Sequence, residues 1–202
     1  MIKDYQAPSV RYDEILRYAG AERGAQDPLL LEQIAHCLGA LEGRLSYRVC
    51  YELFPVRVTK EGIELPFARC LSKDLSKNLQ DCSEVLLFAA TVGRDVDRMM
   101  MRYGKTAPTK ALLFSAIGSE RIESLCDLFE EEQRRLFEAQ GRTLRPRFSP
   151  GYGDLPLSLQ REIFAVLQPQ RHIGLTLNDS LLMSPCKSVT GFIGVSKPTD
   201  KP

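Results

Sequence analysis

The hydrophobic period of the chain changes at Tyr47, and the order of such changes constrains the fold more than any other feature. Before that point residues 10–45 read as helical. Asp13 is placed to cap a short helix over 14–19. Asp27-Pro28 opens a second, with Asp27 as N-cap, Pro28 at the first helical position and an apolar stripe of Leu30, Ile34, Cys37, Leu38 and Leu41. From Tyr47 the residues are strand formers, Tyr47-Arg48-Val49-Cys50-Tyr51-Glu52-Leu53. Val56-Arg57-Val58 and Ile63-Glu64-Leu65 alternate around Lys60-Glu61-Gly62, a hairpin signal in which Gly62 can supply positive φ. A short helix is expected over 74–79. Glu84-Val85-Leu86-Leu87-Phe88-Ala89-Ala90-Thr91-Val92 is a continuous apolar run, consistent with a buried strand, and Gly93 separates it from a helix over 94–103.

Residues 109–139 form the longest helical pattern, with Phe114, Gly118, Ile122, Leu125 and Phe129 at helical spacing and Gly141 as a stop. A proline- and glycine-rich stretch, 145–156, follows. A further short helix starts at Ser158 or Leu159 and ends at Leu167. Gly174-Leu175-Thr176-Leu177 and Ser188-Val189-Thr190-Gly191-Phe192-Ile193-Gly194-Val195 are strand candidates. Helices, a strand-rich middle, then a long helix and more strands do not alternate as βαβ units. The class is α+β with a mostly antiparallel sheet and flanking helices. At 202 residues the chain reads as one unit: a helical part over 1–45, an α+β core over 46–195 and a polar, disordered tail over 196–202.

Charge and composition narrow the function classes. Lys+Arg total 27 against Asp+Glu 26, which argues against a general nucleic-acid binder. No apolar stretch is long enough for a membrane span and Met1-Ile2-Lys3-Asp4-Tyr5 carries no apolar signal core, so the expected location is cytoplasmic, away from membranes. Six scattered cysteines without Cys-x-x-Cys spacing read as buried thiols, and with His36 and His172 as the only histidines no metal site is expected.

The segment Arg147-Phe148-Ser149-Pro150-Gly151-Tyr152-Gly153 has the makings of a ligand loop. Pro150 fixes φ, Gly151 and Gly153 admit conformations closed to other residues, and Arg147 can hold a carboxylate by paired hydrogen bonds. Pro-Gly marks turns everywhere, so from spacing alone a surface turn is the commoner outcome. On the long helix Ala116, Ser119 and Glu123 share a face, where Glu123 can meet an ammonium group or a ribose hydroxyl; by itself it is one solvated glutamate among others such as Glu130. Thr91-Val92-Gly93 is a weak anion-site signal, and His172 and Lys187 have no identifiable partner. The hydrolase and nucleotide-triphosphatase motifs are missing, and no catalytic residue is assigned.

In combination these segments resemble a known family. Leu87-Phe88-Ala89-Ala90-Thr91-Val92-Gly93, the Ala116 to Glu123 face, Arg147-Phe148-Ser149-Pro150-Gly151-Tyr152, Ile173-Gly174-Leu175-Thr176-Leu177-Asn178-Asp179-Ser180 and Met183-Ser184-Pro185 followed by Ser188-Val189-Thr190-Gly191 occur in the order seen in the activation (reactivation) domain of cobalamin-dependent methionine synthase, here in a form resembling its stand-alone versions. The resemblance implies a twisted antiparallel sheet and a shallow S-adenosylmethionine site. Arg147 would hold the ligand carboxylate, Ser149, Gly151 and Tyr152 would line the adenosine, and Glu123 would face the ligand. It further implies cobalamin carried by a partner, a cobalamin-binding methionine synthase subunit, and flavodoxin or a similar electron donor, in a methyltransferase system that restores methylcobalamin from cob(II)alamin. Asp4 and Asp13 are the candidates for the family's N-terminal ligand-contacting aspartate, and the aromatic contacts beyond the family's last strand have no counterpart here, so the binding surface is expected to need a partner to complete it. The alternatives are a non-catalytic docking module for a cobalamin protein and a reactivator of another corrinoid methyltransferase.

Overall fold

The computed structural model describes residues 1–21 and 27–197. Its centre is an antiparallel sheet in the order β1-β2-β6-β9, made of β1 (Ile2–Tyr5), β2 (Tyr47–Pro55), β6 (Cys82–Thr91) and β9 (Ser188–Ser196). Strand β6 lies between two partners and is covered on both faces, which explains its unbroken apolar sequence. Leu86, Phe88 and Ala90 point to one side, Val85, Leu87 and Ala89 to the other, as the two-residue period of a strand requires.

The first side is packed by α1 (Tyr12–Tyr18), α2 (Pro28–Leu41), α4 (Asp95–Tyr103) and the 31-residue α5 (Pro108–Glu138). Phe114, Ile117, Leu125 and Phe129 of α5 are fully buried here, and Phe129 stacks obliquely on Phe88 and Tyr51. The second side is covered by a small sheet, β3 (Arg57–Thr59), β4 (Gly62–Leu65) and β5 (Ala68–Cys70), and by α3 (Lys73–Asn78), α6 (Gln160–Leu167) and α7 (Pro169–Ile173). A two-residue hairpin, β7 (Thr176–Leu177) with β8 (Met183–Ser184), precedes β9. The α+β class and the antiparallel sheet expected from the periodicity are both present.

Local capping follows the sequence in some places and departs from it in others. Asp27 caps α2 as expected, accepting from the amides of Leu29 and Leu30. Asp13 does not cap α1: the helix starts at Tyr12 after Arg11, and Asp13 sits in its first turn. The helical assignment of 1–45 misses β1, four residues that owe their strand conformation to long-range pairing with β2 rather than to any local pattern. Ser196 closes β9 instead of opening a tail, and 198–202 lie outside the described residues. Five cysteines are buried free thiols, and Cys186 is exposed. Among the described residues no helix is long and apolar enough to cross a membrane, and no group of three His, Cys, Asp or Glu side chains is placed to hold a metal.

Candidate functional site

Strand β9 ends the sheet, and the loop segment after α5 lies along its free edge. Arg145 N donates to Gly194 O at 2.8 Å, and Phe148 and Phe192 exchange both backbone hydrogen bonds at 2.8 Å. Phe148 packs into the cluster on the second side of the sheet. Its neighbour Arg147 reaches the other way, onto α5. Backbone pairing of the segment with β9 stops at Phe148, where Pro150 turns the chain outward. Beyond that point Ser188, Val189 and Thr190 of β9 border a cleft of about 540 Å³.

The turn itself is tied down. Tyr152 N donates to Ser149 O, Leu155 N to Tyr152 O and Gly151 N to Leu155 O. Gly151 has φ +91°, and a β-carbon there would press on Leu157 at 3.2 Å, so only glycine fits without strain. Gly153, at φ +53°, leaves no room for a side chain against the carboxylate of Asp74. The adjacent Asp154 accepts from the Ser72 hydroxyl and from the amides of Lys73 at 2.6 Å and Asp74 at 3.2 Å. It thus joins Ser72 as a second cap on the N-terminus of α3 and anchors the loop to a helix about 80 residues earlier in the chain.

Four of the five residues proposed from sequence line this one cleft: Glu123, Arg147, Ser149 and Tyr152. Gly151 belongs to the same loop but shapes the turn without lining the cleft. Tyr152 is 71% exposed at the rim. Phe148, Pro150, Gln160, Met183 and Ser188 to Thr190 complete the wall.

Sequence reasoning missed the partners of Arg147. Its guanidinium bonds Glu123 through Nη2 and Glu130 through Nη1 at 2.6 Å, with Asp127 at 3.5 Å. Glu123, Asp127 and Glu130 stand at i, i+4 and i+7, one face of α5, a spacing that was available in the sequence. Glu130 is therefore no free surface glutamate. Burial opposes the charge on Arg147, but the surrounding Cys126, Glu130, Glu123 and Asp127 outweigh it and raise its pKa. Burial also raises the pKa of Glu130, and the shared Arg147 only partly offsets that.

Other expectations are corrected. Asp4 pairs with Arg48 on β1–β2, the edge of the sheet opposite β9, and neither Asp4 nor Asp13 lines the cleft. The amides of Val92 and Gly93 are already bonded to Lys187 O and Thr91 Oγ1, which leaves no anion nest. Lys187 does have partners: its Nζ donates to Ser115 and Ser119 of α5 at 3.0 and 2.9 Å.

The family model for the activation domain of vitamin B12 dependent methionine synthase matches residues 68–200. No curated protein matches the chain. Among solved structures, a crystal structure of the MetH reactivation domain bound to AdoHcy superposes with a TM-score of 0.67 at 17% identity, over 100% of this chain and 80% of that one. At that identity the likeness is one of fold.

Proposed function

The chain belongs to the activation-domain family of vitamin B12 dependent methionine synthases, and on that premise we propose that its cleft binds S-adenosylmethionine to reactivate a cobalamin-dependent methionine synthase on a separate chain. The observation that carries this reading is convergence. Arg147 and Glu123, from an edge loop and from α5, meet at one cleft with Ser149 and Tyr152 beside them.

An amino-acid zwitterion fits a cleft that holds a guanidinium against a carboxylate. The ligand carboxylate takes Arg147 and its ammonium takes Glu123, so each charge exchanges one opposite partner for another. Asp127 and Glu130 keep Arg147 in place during the exchange. Glu123, Asp127 and Glu130 surround Arg147, and Arg11 also pairs with Asp127 at 3.2 Å, so two guanidiniums leave one carboxylate in excess, which suits a sulfonium ligand of net positive charge. Ser149 and Tyr152 line the adenosine, and Gly151 sets the turn that presents them. The solved neighbour's AdoHcy supports a ligand of this class. When bound on the partner, cobalamin supplies the methyl acceptor; the chain's own contribution is to hold and orient the donor. The expected electron donor is flavodoxin or a protein like it.

Calorimetric titration with S-adenosylmethionine, with and without a cobalamin-loaded partner, tests this. Saturable binding is expected in at least one arm, and silence in both would sink the reading. A second reading, a docking module without ligand, is favoured by one observation: the Arg147 guanidinium already engages three carboxylates. Capture of the cobalamin protein at equal strength with and without S-adenosylmethionine would support it.

A further inference from the structure

Two residues lining the cleft each carry a buried polar atom without a hydrogen-bond partner. Gln160, the first residue of α6, is 5% exposed and its Oε1 is unpaired; Thr190 of β9 is 2% exposed and its Oγ1 is unpaired. Among the described residues six side-chain atoms are in this condition, and these are the two that fall on residues lining the cleft. Folded proteins satisfy nearly all such groups, so a pair of them in one cleft wall marks where an outside group completes the bonding. An amide oxygen can only accept, so its partner must bring an N–H or an O–H. The charged groups do not meet that need, because Glu123 and Arg147 face each other and match the zwitterionic half of a ligand.

We propose that Gln160, supported by Thr190, is the specificity-determining residue of the cleft and accepts a hydrogen bond from the nucleoside half of the ligand. The donor is either the exocyclic amino group of the base or a sugar hydroxyl. The inference rests on the cleft being a site for S-adenosylmethionine-type ligands, and it adds which end of the ligand lies against α6 and β9. A site built around such a bond rejects analogues that lack the donor far more strongly than a purely apolar wall does.

The test is a calorimetric panel on the full chain with AdoHcy, its 6-oxo analogue S-inosylhomocysteine, and the 2′-deoxy and 3′-deoxy forms of AdoHcy. Gln160→Leu is expected to weaken AdoHcy roughly ten- to hundred-fold. Against one analogue, the one whose donor is gone, wild type and Gln160→Leu should bind alike, which identifies the group. Thr190→Val should give a smaller loss with the same ligand dependence. Unchanged affinity of Gln160→Leu for AdoHcy would overturn the proposal, as would an equal loss across all four ligands. Arg147→Ala separates the two levels. If it destroys AdoHcy binding while Gln160→Leu does not, the site stands and the role of Gln160 falls; if wild type binds none of the panel either alone or with the cobalamin-loaded partner, both fall. Should Gln160→Leu not fold, Gln160→Met is read by the same criteria.

Discussion

Helix α5 takes part in two arginine–carboxylate clusters, one at Glu120–Arg121 and one where Glu123, Asp127 and Glu130 meet Arg147, and they are built to opposite ends. In the first, Arg121 and Glu120 are 2% and 0% exposed. Arg121 bonds both oxygens of Glu120 at 2.5 Å, Pro8 O at 2.7 Å and Ser9 O at 2.8 Å, while Glu120 also accepts from Ser124 Oγ and Arg11 N. One positive and one negative charge are enclosed with their bonding filled, and they pin the strand-to-helix connection after β1 to α5. In the second, Arg147 faces three carboxylates, one of them shared with Arg11, its side chain is 24% exposed, and two residues lining the cleft it opens on carry unpaired atoms. The closed cluster has nothing left to offer a ligand. The open one keeps one carboxylate in excess and borders residues with unpaired polar atoms, which is what the proposed ligand site requires.

Breaking the closed cluster should have the largest effect on folding. Arg121→Ala strands Glu120 in the core, and denaturant unfolding should show a loss of about 3–5 kcal/mol. The contrast fails if the loss is below about 1 kcal/mol. Arg147→Ala should do the reverse: S-adenosylmethionine affinity falls by roughly a hundred-fold, since a charged two-point contact is lost, with a stability change under about 1 kcal/mol. Comparable losses of stability in the two variants would erase the distinction.

These two clusters also show how far the sequence could be read. The apolar run through Phe88 and the helical spacing of Phe114 to Phe129 announced a buried strand under a long helix, because burial imposes period. That Arg147, Ser149 and Tyr152 belong together, as their shared cleft shows, was legible because proline and glycine limit the backbone around them and because they fall in a family order. Glu130, Gln160 and Thr190 were not found. Their roles depend on which face of α5, α6 and β9 meets a loop from elsewhere, and that is fixed by tertiary packing. Strand β1 was hidden for the same reason, its partner β2 being more than forty residues away.

Smaller effects refine the contrast. Asp154→Ala removes a second cap from α3 and frees the ligand loop, with an expected cost of about 1 kcal/mol in thermal or chemical unfolding and a measurable loss of ligand affinity. Unchanged affinity would show that the anchor has no bearing on the site. Glu130→Gln should be the mildest. Burial raises the folded pKa of Glu130, so the folded state binds its proton more tightly than the unfolded chain does. That stabilisation is full below the unfolded carboxylate pKa and is lost as pH rises through the raised folded value. The glutamine variant should therefore gain on wild type as pH rises from about 4 to 7, by less than about 1 kcal/mol. Unfolding curves across that range check the sign; a variant that loses ground with rising pH contradicts it.

The pairing of residues 143–148 with β9 has a consequence for how variants of this site will behave. The same stretch that delivers Arg147 also covers the Phe192–Ser196 part of the outer edge of β9. Loosening it uncovers backbone that other chains can pair with, so the damage spreads from one molecule to its neighbours. Substitutions at Phe148 should be recognised by turbidity and light scattering before any titration is attempted, and a screen for binding-deficient variants in this stretch will collect self-association unless it filters for it.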